Sequence, residues 1–328
     1  MPVRAVDDKS SDTLVVVPGE GSWTGSSTLP HLHQLTFGRP SRVVVARRPR
    51  SEPVTYEPTP SLDPGPDEAM WRAILLGTDP RYARTRAWLK HVPSEPRCKM
   101  CAAPFGGVGR PLMHLLHRDR WSKNPRYCGS CFEVLQAHHG GAEIEASFLF
   151  ADVRGSTSLA ERATPTEFRR LLDRFYETAS RVLVDHDGIV DKFVGDEVIG
   201  LFIPALTQDA HAARAVEASK ALLRATGHGD QAGPWIPIGI GVHTGNAFIG
   251  SVGEPPVTDL TALGDVVNTT ARLASAAAAG EALITDAAAA TSGFDTTTLE
   301  RRELELKGKR DLTPVFVVTV AQPALAHP

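Results

Sequence analysis

The chain has 328 residues, of which 42% are hydrophobic and 22% charged, so its length predicts about two domains with a sizeable core. This composition excludes a fully disordered, collagen-like or coiled-coil protein. The net charge of -3 is unevenly divided, because residues 1–143 carry 19 Lys and Arg against 14 Asp and Glu, whereas residues 144–328 carry 16 against 24. Such an acidic second half binds polyanions poorly unless metal cations stand between it and the phosphates, so we do not expect a nucleic-acid partner.

No apolar run approaches the ~20 residues that cross a bilayer, and the start of the chain, Met-Pro-Val-Arg-Ala-Val-Asp-Asp, lacks the apolar region of a signal peptide. We therefore expect a cytoplasmic protein with no membrane partner. Four cysteines are too few for a disulfide scaffold, and their arrangement in two pairs suits a reducing compartment with a bound metal.

Three segments are predicted along the chain. Residues 1–66 hold 10 of the 25 prolines and are predicted to be a flexible, disordered arm, since they cannot bury enough apolar surface to offset chain entropy. Residues 67–140 are predicted to form helices on either side of the Asp79-Pro80 break, followed by a four-cysteine module. Residues 141–322 are predicted to form one domain, with the boundary near Gly140-Gly141.

Hydrophobic spacing in this last segment predicts alternating strands and helices. Their order, β-α-β-β-α-β with additions, is the ferredoxin-like split arrangement of an α/β (α+β) domain. The predicted strands are residues 144–151, 188–194, 197–203, 235–243 and 247–252, and the predicted helices are residues 166–185, 207–226 and 265–278.

Two aspartates stand where this order of elements places polar groups together. Asp152 follows the first strand and precedes a Gly-containing turn, which suits a divalent cation with phosphates attached. Asp196 lies at the tip of the predicted hairpin beside that strand, so the two carboxylates can share a cation pair. Taken singly, Asp152 is equally well explained as a helix cap, and Asp196 is better explained as an ordinary turn residue.

Asn268 and Arg272 are four residues apart on the third predicted helix, so they share one face of it. An Arg and an Asn on a rigid helix can hold a phosphoryl group and a ribose together. Arginine at this spacing is more often a solvated residue or part of a salt bridge. The joint occurrence of these features in one β-α-β-β-α-β frame favours the functional interpretation.

Three ordered motifs resemble the signatures of class III adenylyl/guanylyl cyclases, and the resemblance covers about residues 144–320. They are Phe150-Ala-Asp152-Val-Arg-Gly-Ser-Thr157, Asp191-Lys192-Phe-Val-Gly-Asp196 and Thr261-Ala-Leu-Gly264-Asp-Val-Val-Asn268-Thr-Thr-Ala-Arg272-Leu. The late Leu306-Lys307-Gly308 and the strand after it look like the usual end of that domain. The segment Val194-Gly-Asp-Glu-Val198 is more weakly similar to a signature of diguanylate cyclases. Those enzymes have no counterpart to the helix that carries Asn268 and Arg272.

The resemblance implies a role for each matching residue. Asp152, Asp196 and the carbonyl of Val153 would bind two Mg²⁺ or Mn²⁺ ions, and Lys192 and Thr261 would select the purine. Asn268 would orient the ribose and Arg272 would stabilise the transition state. The turn formed by Val153, Arg154, Gly155, Ser156 and Thr157 would wrap the triphosphate. Because the family takes these residues from two chains, the resemblance implies a head-to-tail homodimer.

The implied reaction converts ATP to 3′,5′-cyclic AMP and pyrophosphate. Adenine offers an acceptor and a donor that a Lys ammonium and a Thr hydroxyl can meet. Ser156 replaces the Phe that is common in the turn, and Arg154 adds a cation there. Cyclisation of guanine or pyrimidine nucleotides therefore stays open. A second alternative is a catalytically weak, nucleotide-binding regulator that acts through the cysteine module. In one form of this alternative, the basic N-terminal half contacts nucleic acid through that module.

The four cysteines form the pairs Cys98-x-x-Cys101 and Cys128-x-x-Cys131, separated by 26 residues. Each spacing points two thiolates at one ion, so two pairs complete a tetrahedral zinc site, with a helix predicted between them at residues 112–118. An iron–sulfur cluster fits the same ligands, and four structural or redox thiols are the third interpretation. The histidines His114, His117, His138 and His139 are more simply explained as solvated or core residues.

Overall fold

The computed structural model describes residues 66–92, 96–133, 140–254, 257–309 and 311–320. The predicted flexible arm, apart from Pro66, lies outside these residues, as do His138 and His139. The helices are α1 Pro66–Leu75, α2 Pro80–Leu89, α3 Arg110–Leu115, α4 Ser156–Arg162, α5 Pro165–Asp185, α6 Pro204–Thr207, α7 His211–Ala225, α8 Asp265–Ala276 and α9 Asp286–Ser292. The strands are β1 Gly140–Val153, β2 Ile189–Val194, β3 Glu197–Phe202, β4 Ile238–Glu254, β5 Val257–Leu263, β6 Ala282–Thr285, β7 Glu300–Leu304 and β8 Thr313–Val318.

The strands form one open sheet in the order β2-β3-β1-β4-β6-β8-β7, and β5 pairs with β4. Its first four strands are antiparallel, and they alternate along the chain with α5 and α7 as β1-α5-β2-β3-α7-β4. The predicted split arrangement is therefore confirmed. Among the described residues no helix has the length and apolar character needed to cross a membrane.

Three predicted elements of the sheet domain differ from the structure. The predicted strands 235–243 and 247–252 are a single strand, β4, because pairing with β1 runs without a break from Ile238 to Ser251. The predicted helix 207–226 begins only at His211, since Gln208 has a positive φ of 55° that a helix cannot continue through. Elements β5, β6, β7, α4 and α9 had not been predicted.

Helix α5 shows how the local sequence sets an element's start. The Thr164 hydroxyl accepts the backbone N–H of Glu167, and the Glu167 carboxylate accepts the backbone N–H of Thr164. This reciprocal capping box satisfies two donors that the first helical turn leaves without partners. Pro165 at the first helical position fixes φ in the helical range.

The two faces of the sheet are separated by alternation along β1. Leu149, Ala151 and Val153 pack with α5, α7 and α9, whereas Phe148 and Phe150 pack with α1, α8 and the residues around the cysteines. Period-two alternation is what an antiparallel strand buried on both faces requires. Residues 66–133 thus contribute to the same core as the sheet, and β1 begins at Gly140.

Helix α8 lies close against β4 because Gly241 has no side chain. A Cβ atom at Gly241 would stand 2.5 Å from the backbone nitrogen of Ala274 and 2.6 Å from the carbonyl oxygen of Thr270. Any larger residue would push the helix away from the sheet. This contact fixes the position of α8, and with it the positions of Asn268 and Arg272.

Candidate active site

The turn that carries Asp196 is a tight two-residue link. Strand β2 ends at Val194 and β3 begins at Glu197, leaving Gly195 and Asp196 between them. Gly195 has a φ of 61°, which favours glycine. The Tyr176 hydroxyl donates a hydrogen bond to the Gly195 carbonyl, and its ring stacks on Phe193 at 4.5 Å. Helix α5 therefore holds the hairpin tip in place.

Three carboxyl groups meet at the end of β1. Asp152 pairs across the ladder with Glu197, so their side chains share the face of the sheet that carries α8. The backbone N–H of Val153 donates to the Asp196 carbonyl over 3.3 Å, which brings the hairpin tip beside Asp152. We call Asp152, Asp196 and Glu197 the acidic edge.

The electrostatics of the acidic edge show an excess of negative charge. Burial raises the pKa of Asp152, Asp196 raises it further, and the neighbouring Arg154 acts against both. Burial, followed by the charges of Asp152 and Asp196, raises the pKa of Glu197 to about 7. Carboxylates that share a partly buried space repel one another, and a bound cation relieves that repulsion.

The turn after β1 brings one cation to the acidic edge. Arg154 forms an ion pair with Asp152 and donates from Nη1 to the carbonyl of Ser275, at the end of α8, over 2.9 Å. Gly155, with a φ of 69°, turns the chain into α4. The amides of Gly155, Ser156 and Thr157 stand at the start of this helix, where backbone N–H groups have no carbonyl one turn earlier.

Lys192 and Thr261 line one cavity on the same face of the sheet. Its volume is about 190 Å³. We call it the base cavity, and its lining residues are Phe148, Asp191, Lys192, Ile199, Leu201, Thr261, Ala262, Leu263 and Val267. The Thr261 hydroxyl donates to Asp191 Oδ2 over 3.1 Å, and Lys192 Nζ lies 3.8 Å from the same oxygen. Both predicted purine-selecting residues thus stand together around Asp191.

Asn268 and Arg272 lie one turn apart on α8, as predicted. Asn268 is exposed and Arg272 is half-buried, and within the described ranges neither side chain has a hydrogen-bond partner. The Arg272 guanidinium lies against Gly308, since a Cβ atom there would be 3.5 Å from Nη2. An ion pair between Lys309 and Asp265 ties the same loop to the start of α8.

The acidic edge and the base cavity are two ends of one surface. Phe148 lines the cavity, and Asp152 stands four residues further along β1, which corresponds to ~13 Å of strand. The structure therefore joins Asp152 with Asp196, and Lys192 with Thr261, as separate groups on one face.

Three residues of this surface were missed by the sequence analysis. Glu197 follows Asp196 in the motif and could have been found from the pairing of β1 with β3, which places it opposite Asp152. Asp191 precedes Lys192, but its contact with Thr261 depends on the distant strand β5. Lys123, which lies 3.4 Å from Asp191, had no sequence signal, because it belongs to the cysteine segment.

The four cysteines form a buried cluster. Their Sγ atoms all lie within 4.8 Å of one another, with Cys101 and Cys128 3.4 Å apart and Cys98 and Cys131 3.9 Å apart. These distances exceed the ~2.05 Å of a disulfide. They are close to the ~3.8 Å between sulfurs that a tetrahedral zinc site with ~2.3 Å bonds requires. The donor set therefore fits zinc.

Within the cluster a thiolate is favoured at Cys101, whereas hydrogen bonding with Cys101 raises the pKa of the Cys128 and Cys131 thiols. Hydrogen bonds from Cys128, Cys131 and Cys98 lower the pKa of the Cys101 thiol. Arg118 donates from Nη1 to Cys101 Sγ over 3.5 Å, so a cation stands beside the sulfurs. His114 is exposed, and its Nδ1 lies 2.9 Å from a carboxylate oxygen of Asp119.

Comparison with known proteins decides the family. The model of the adenylate and guanylate cyclase catalytic domain matches residues 142–319, more than half of the chain. The chain belongs to this family. The matched range contains the acidic edge, the base cavity, and both Asn268 and Arg272, whereas the cysteine segment lies before it. Membership in this cyclase family assigns the sheet domain to the lyases that form cyclic nucleotides.

Individual relatives cover the same domain. The chain is 33% identical to an adenylate cyclase of Anabaena cylindrica over 131 residues, which is 39% of this chain and 26% of that protein. It is 31% identical over 148 residues to adenylate cyclase 1 of Rhizobium meliloti, covering 43% of this chain and 22% of the relative. The chain thus matches about a quarter of the length of these relatives.

Similar solved structures include cyclases of both purines. The guanylyl cyclase Cya2 is 27% identical, with a TM-score of 0.49, and the match covers 57% of this chain and 98% of that one. The adenylyl cyclase CyaB of P. aeruginosa is 28% identical, with a TM-score of 0.47, covering 54% and 94%.

Proposed function

We propose that this cyclase domain converts ATP to 3′,5′-cyclic AMP and pyrophosphate in a site shared between two copies of the chain. The observation that carries the proposal is the acidic edge, where Asp152 and Asp196 stand together without enough positive charge to balance them. A protein surface with uncompensated carboxylates beside free backbone amides suits a metal–triphosphate complex.

The residues at the acidic edge fit two divalent cations, Mg²⁺ or Mn²⁺. Asp152 and Asp196 would hold them with the carbonyl of Val153, because carboxylate and carbonyl oxygens are the ligands that these hard cations prefer. When bound, such ions lower the pKa of a coordinated hydroxyl and stabilise charge on phosphate oxygens. Arg154 and the amides of residues 155–157 would contact the triphosphate.

The chain's own side chains then position the reacting atoms. Asn268 would hold the ribose so that its 3′ oxygen faces the α-phosphorus, where a new P–O bond forms as the bond to the bridging oxygen breaks. The hydroxyl proton leaves to solvent or substrate, and pyrophosphate departs with the bond electrons. Arg272 would neutralise the negative charge that grows on the leaving group.

Base selection is assigned to the base cavity. Lys192 would donate to the ring-nitrogen acceptor of adenine, and Thr261 would accept from the exocyclic amine. GTP and UTP present the reverse pattern, a ring N–H beside a carbonyl, whereas cytosine shares the adenine pattern on a smaller ring. Cyclisation of those nucleotides in preference to ATP would contradict the assignment.

Two side chains of α8 support the proposed homodimer. Asn268 and Arg272 have no hydrogen-bond partner within the described part of their own chain, so both are available to a nucleotide bound at the acidic edge of a second copy. A head-to-tail pair of chains would place two equivalent sites at the interface.

The primary experiment incubates the purified chain with Mg²⁺ or Mn²⁺ and each of ATP, GTP, CTP and UTP, and measures cyclic nucleotide and pyrophosphate. Asp196→Ala and Arg272→Ala should each be inactive. Mixing the two variants should restore one intact site per mixed dimer, and so about a quarter of wild-type activity if chains exchange at random. Asp209→Ala, an exposed acidic residue outside the site, serves as the matched control.

The mixed sample separates two models. Activity restored only on mixing requires that Asp196 and Arg272 act from different chains. If the mixture stays inactive while co-purification of differently tagged variants shows mixed dimers, the shared site is wrong, although a cyclase site within one chain could still operate.

For the cysteine cluster we propose a structural zinc ion held by Cys98, Cys101, Cys128 and Cys131. The buried set of four sulfurs at near-tetrahedral spacing supports it. Metal analysis of the purified chain should give one zinc per chain; iron with visible absorbance would favour an iron–sulfur cluster instead.

A further inference from the structure

The cysteine segment contacts the strand that carries Lys192. The backbone N–H of Val190, on β2, donates to the carbonyl of Lys123 over 3.2 Å. The buried amide of Asn124 donates to the carbonyl of Gly188 over 2.6 Å. These bonds fix residues 123–124, which lie between the two cysteine pairs, beside the start of β2.

Lys123 extends from this contact to Asp191, which lines the base cavity. Its Nζ lies 3.4 Å from Asp191 Oδ1, and the Asp191 side chain is only 7% exposed. The other oxygen, Oδ2, accepts the hydrogen bond of the Thr261 hydroxyl at 3.1 Å. A continuous chain of polar contacts therefore runs from the cysteine segment, through Asp191, to a residue proposed to read the base.

The direction of the Thr261 hydrogen bond follows from the chemistry of its partner. An ionised carboxylate can only accept, so the single hydroxyl proton of Thr261 is given to Asp191. The oxygen can then offer only its lone pairs to a molecule in the cavity. Adenine presents an amine donor at its exocyclic position, whereas guanine presents a carbonyl acceptor.

We propose that Asp191 and Lys123 are positioning residues that hold the Thr261 hydroxyl as a hydrogen-bond acceptor and thereby favour adenine over guanine nucleotides. This inference rests on the proposed function and extends it to residues outside the motifs. Lys123 also balances the charge of Asp191, so that Lys192, 3.8 Å away, is less strongly drawn from the base to that carboxylate.

The sharpest variant is Asp191→Asn, which keeps the shape of the side chain. Lys123 would attract the amide oxygen, so the Nδ2 group would face Thr261 and donate to it. The Thr261 hydroxyl would then be free to donate its proton to the carbonyl oxygen of guanine. We expect the ratio of kcat/KM for ATP to that for GTP to fall about tenfold, which corresponds to about 1.4 kcal/mol.

Further variants separate positioning from a general loss of structure. Lys123→Met keeps the aliphatic stem and should lower the same ratio about threefold, in line with loss of one partly exposed ion pair. Thr261→Val should lower the ratio, and adding Asp191→Asn to it should change nothing more, because the hydroxyl through which Asp191 acts is gone. Asp187→Asn is the matched control, since Asp187 contacts the cysteine segment through Lys99 and Arg126 but not Thr261.

Equilibrium binding of ATP and GTP to the full chain gives a second readout that does not depend on turnover. If Asp191→Asn is folded and leaves the ATP-to-GTP ratio unchanged in both kinetics and binding, the inference is overturned. Equal effects of Asp191→Asn with and without the Thr261 hydroxyl would overturn it as well. A wild-type chain that binds ATP selectively but forms no cyclic nucleotide would contradict the proposed function alone.

Discussion

The balance of acidic and basic side chains differs between the acidic edge and the contact that joins the cysteine segment to the sheet. At the acidic edge, three carboxyl groups share one arginine, Arg154. At the other contact, which we call the module seam, acidic and basic residues are matched. The seam pairs are Lys99 with Asp187, Lys123 with Asp191, and Arg126 with Asp185 and Asp187.

This difference explains the uneven charge of the two halves of the chain. Part of the excess positive charge of residues 1–143 is used at the seam, against acidic residues of α5, β2 and the turn between them. Part of the negative charge left over lies at the acidic edge, where the proposed divalent cations would bind. We infer that the ion pairs of the module seam stabilise the fold, whereas the excess carboxylates of the acidic edge form a ligand-binding site.

The largest effect is expected at the acidic edge. Asp152→Asn keeps the side-chain shape but removes the charge that would hold a divalent cation, so activity should fall on the order of 10³-fold. Cyclic nucleotide formation at saturating Mn²⁺ measures this loss. Asp209→Asn, with the same chemical change at an exposed position, should keep full activity. A variant at Asp152 with more than a tenth of wild-type activity would remove Asp152 from the metal site.

The second largest effect is expected from removing one thiolate of the four-cysteine cluster. Cys128→Ser should lose the proposed zinc and lower the melting temperature by about 10 °C, because a metal ligand at the centre of a buried cluster is lost. Ser130→Ala, in the same Cys-Gly-Ser-Cys turn, should shift it by no more than about 2 °C. Calorimetry with metal analysis checks both. Unchanged melting after complete metal removal would show that the thiols act without an ion.

The sequence predicted the parts of the site that motifs mark. The order of the central strands places Asp196 beside Asp152, and the structure confirms that arrangement. Helical spacing likewise places Asn268 and Arg272 on one face of α8. These predictions succeeded because each depends on regular local geometry and on a chain topology with few alternatives.

The sequence could not predict the module seam. Lys123 meets Asp191 across 68 positions of the chain, and no local pattern encodes that contact. Strand β5, which supplies Thr261, was missed because its pairing with β4 depends on the unexpected length of β4. Long-range packing, rather than propensity, decides these features.

A smaller effect at the acidic edge depends on pH. The pKa of Glu197 is raised from its ordinary value to about 7, so the folded state binds more protons than the unfolded state between about pH 4.5 and 7. Stability therefore falls as the pH rises through this range. In Glu197→Gln, the decrease in the free energy of unfolding over this pH range should be smaller by about 1–2 kcal/mol, after allowance for solvent screening.

Urea unfolding of the wild type and Glu197→Gln at several pH values, with a chelator present, measures this difference. Glu143→Gln, at an exposed position on β1, is the control and should leave the pH profile unchanged. Parallel profiles for the wild type and Glu197→Gln would mean that burial and the neighbouring carboxylates do not raise the pKa of Glu197 in solution.

The smallest effect is expected from one matched pair at the module seam. Asp187 has a φ of 61°, a conformation that Asn also accepts, so Asp187→Asn removes charge without straining the backbone. Loss of the pairing with Lys99 and Arg126 should cost about 1 kcal/mol of unfolding free energy at low salt. At 1 M NaCl, where screening reaches ~3 Å, the difference should shrink. Urea unfolding at both salt concentrations checks this.

A stabilising substitution would mean that Asp187 is itself an unmatched carboxylate. The contrast between the module seam and the acidic edge would then not extend to the turn before β2.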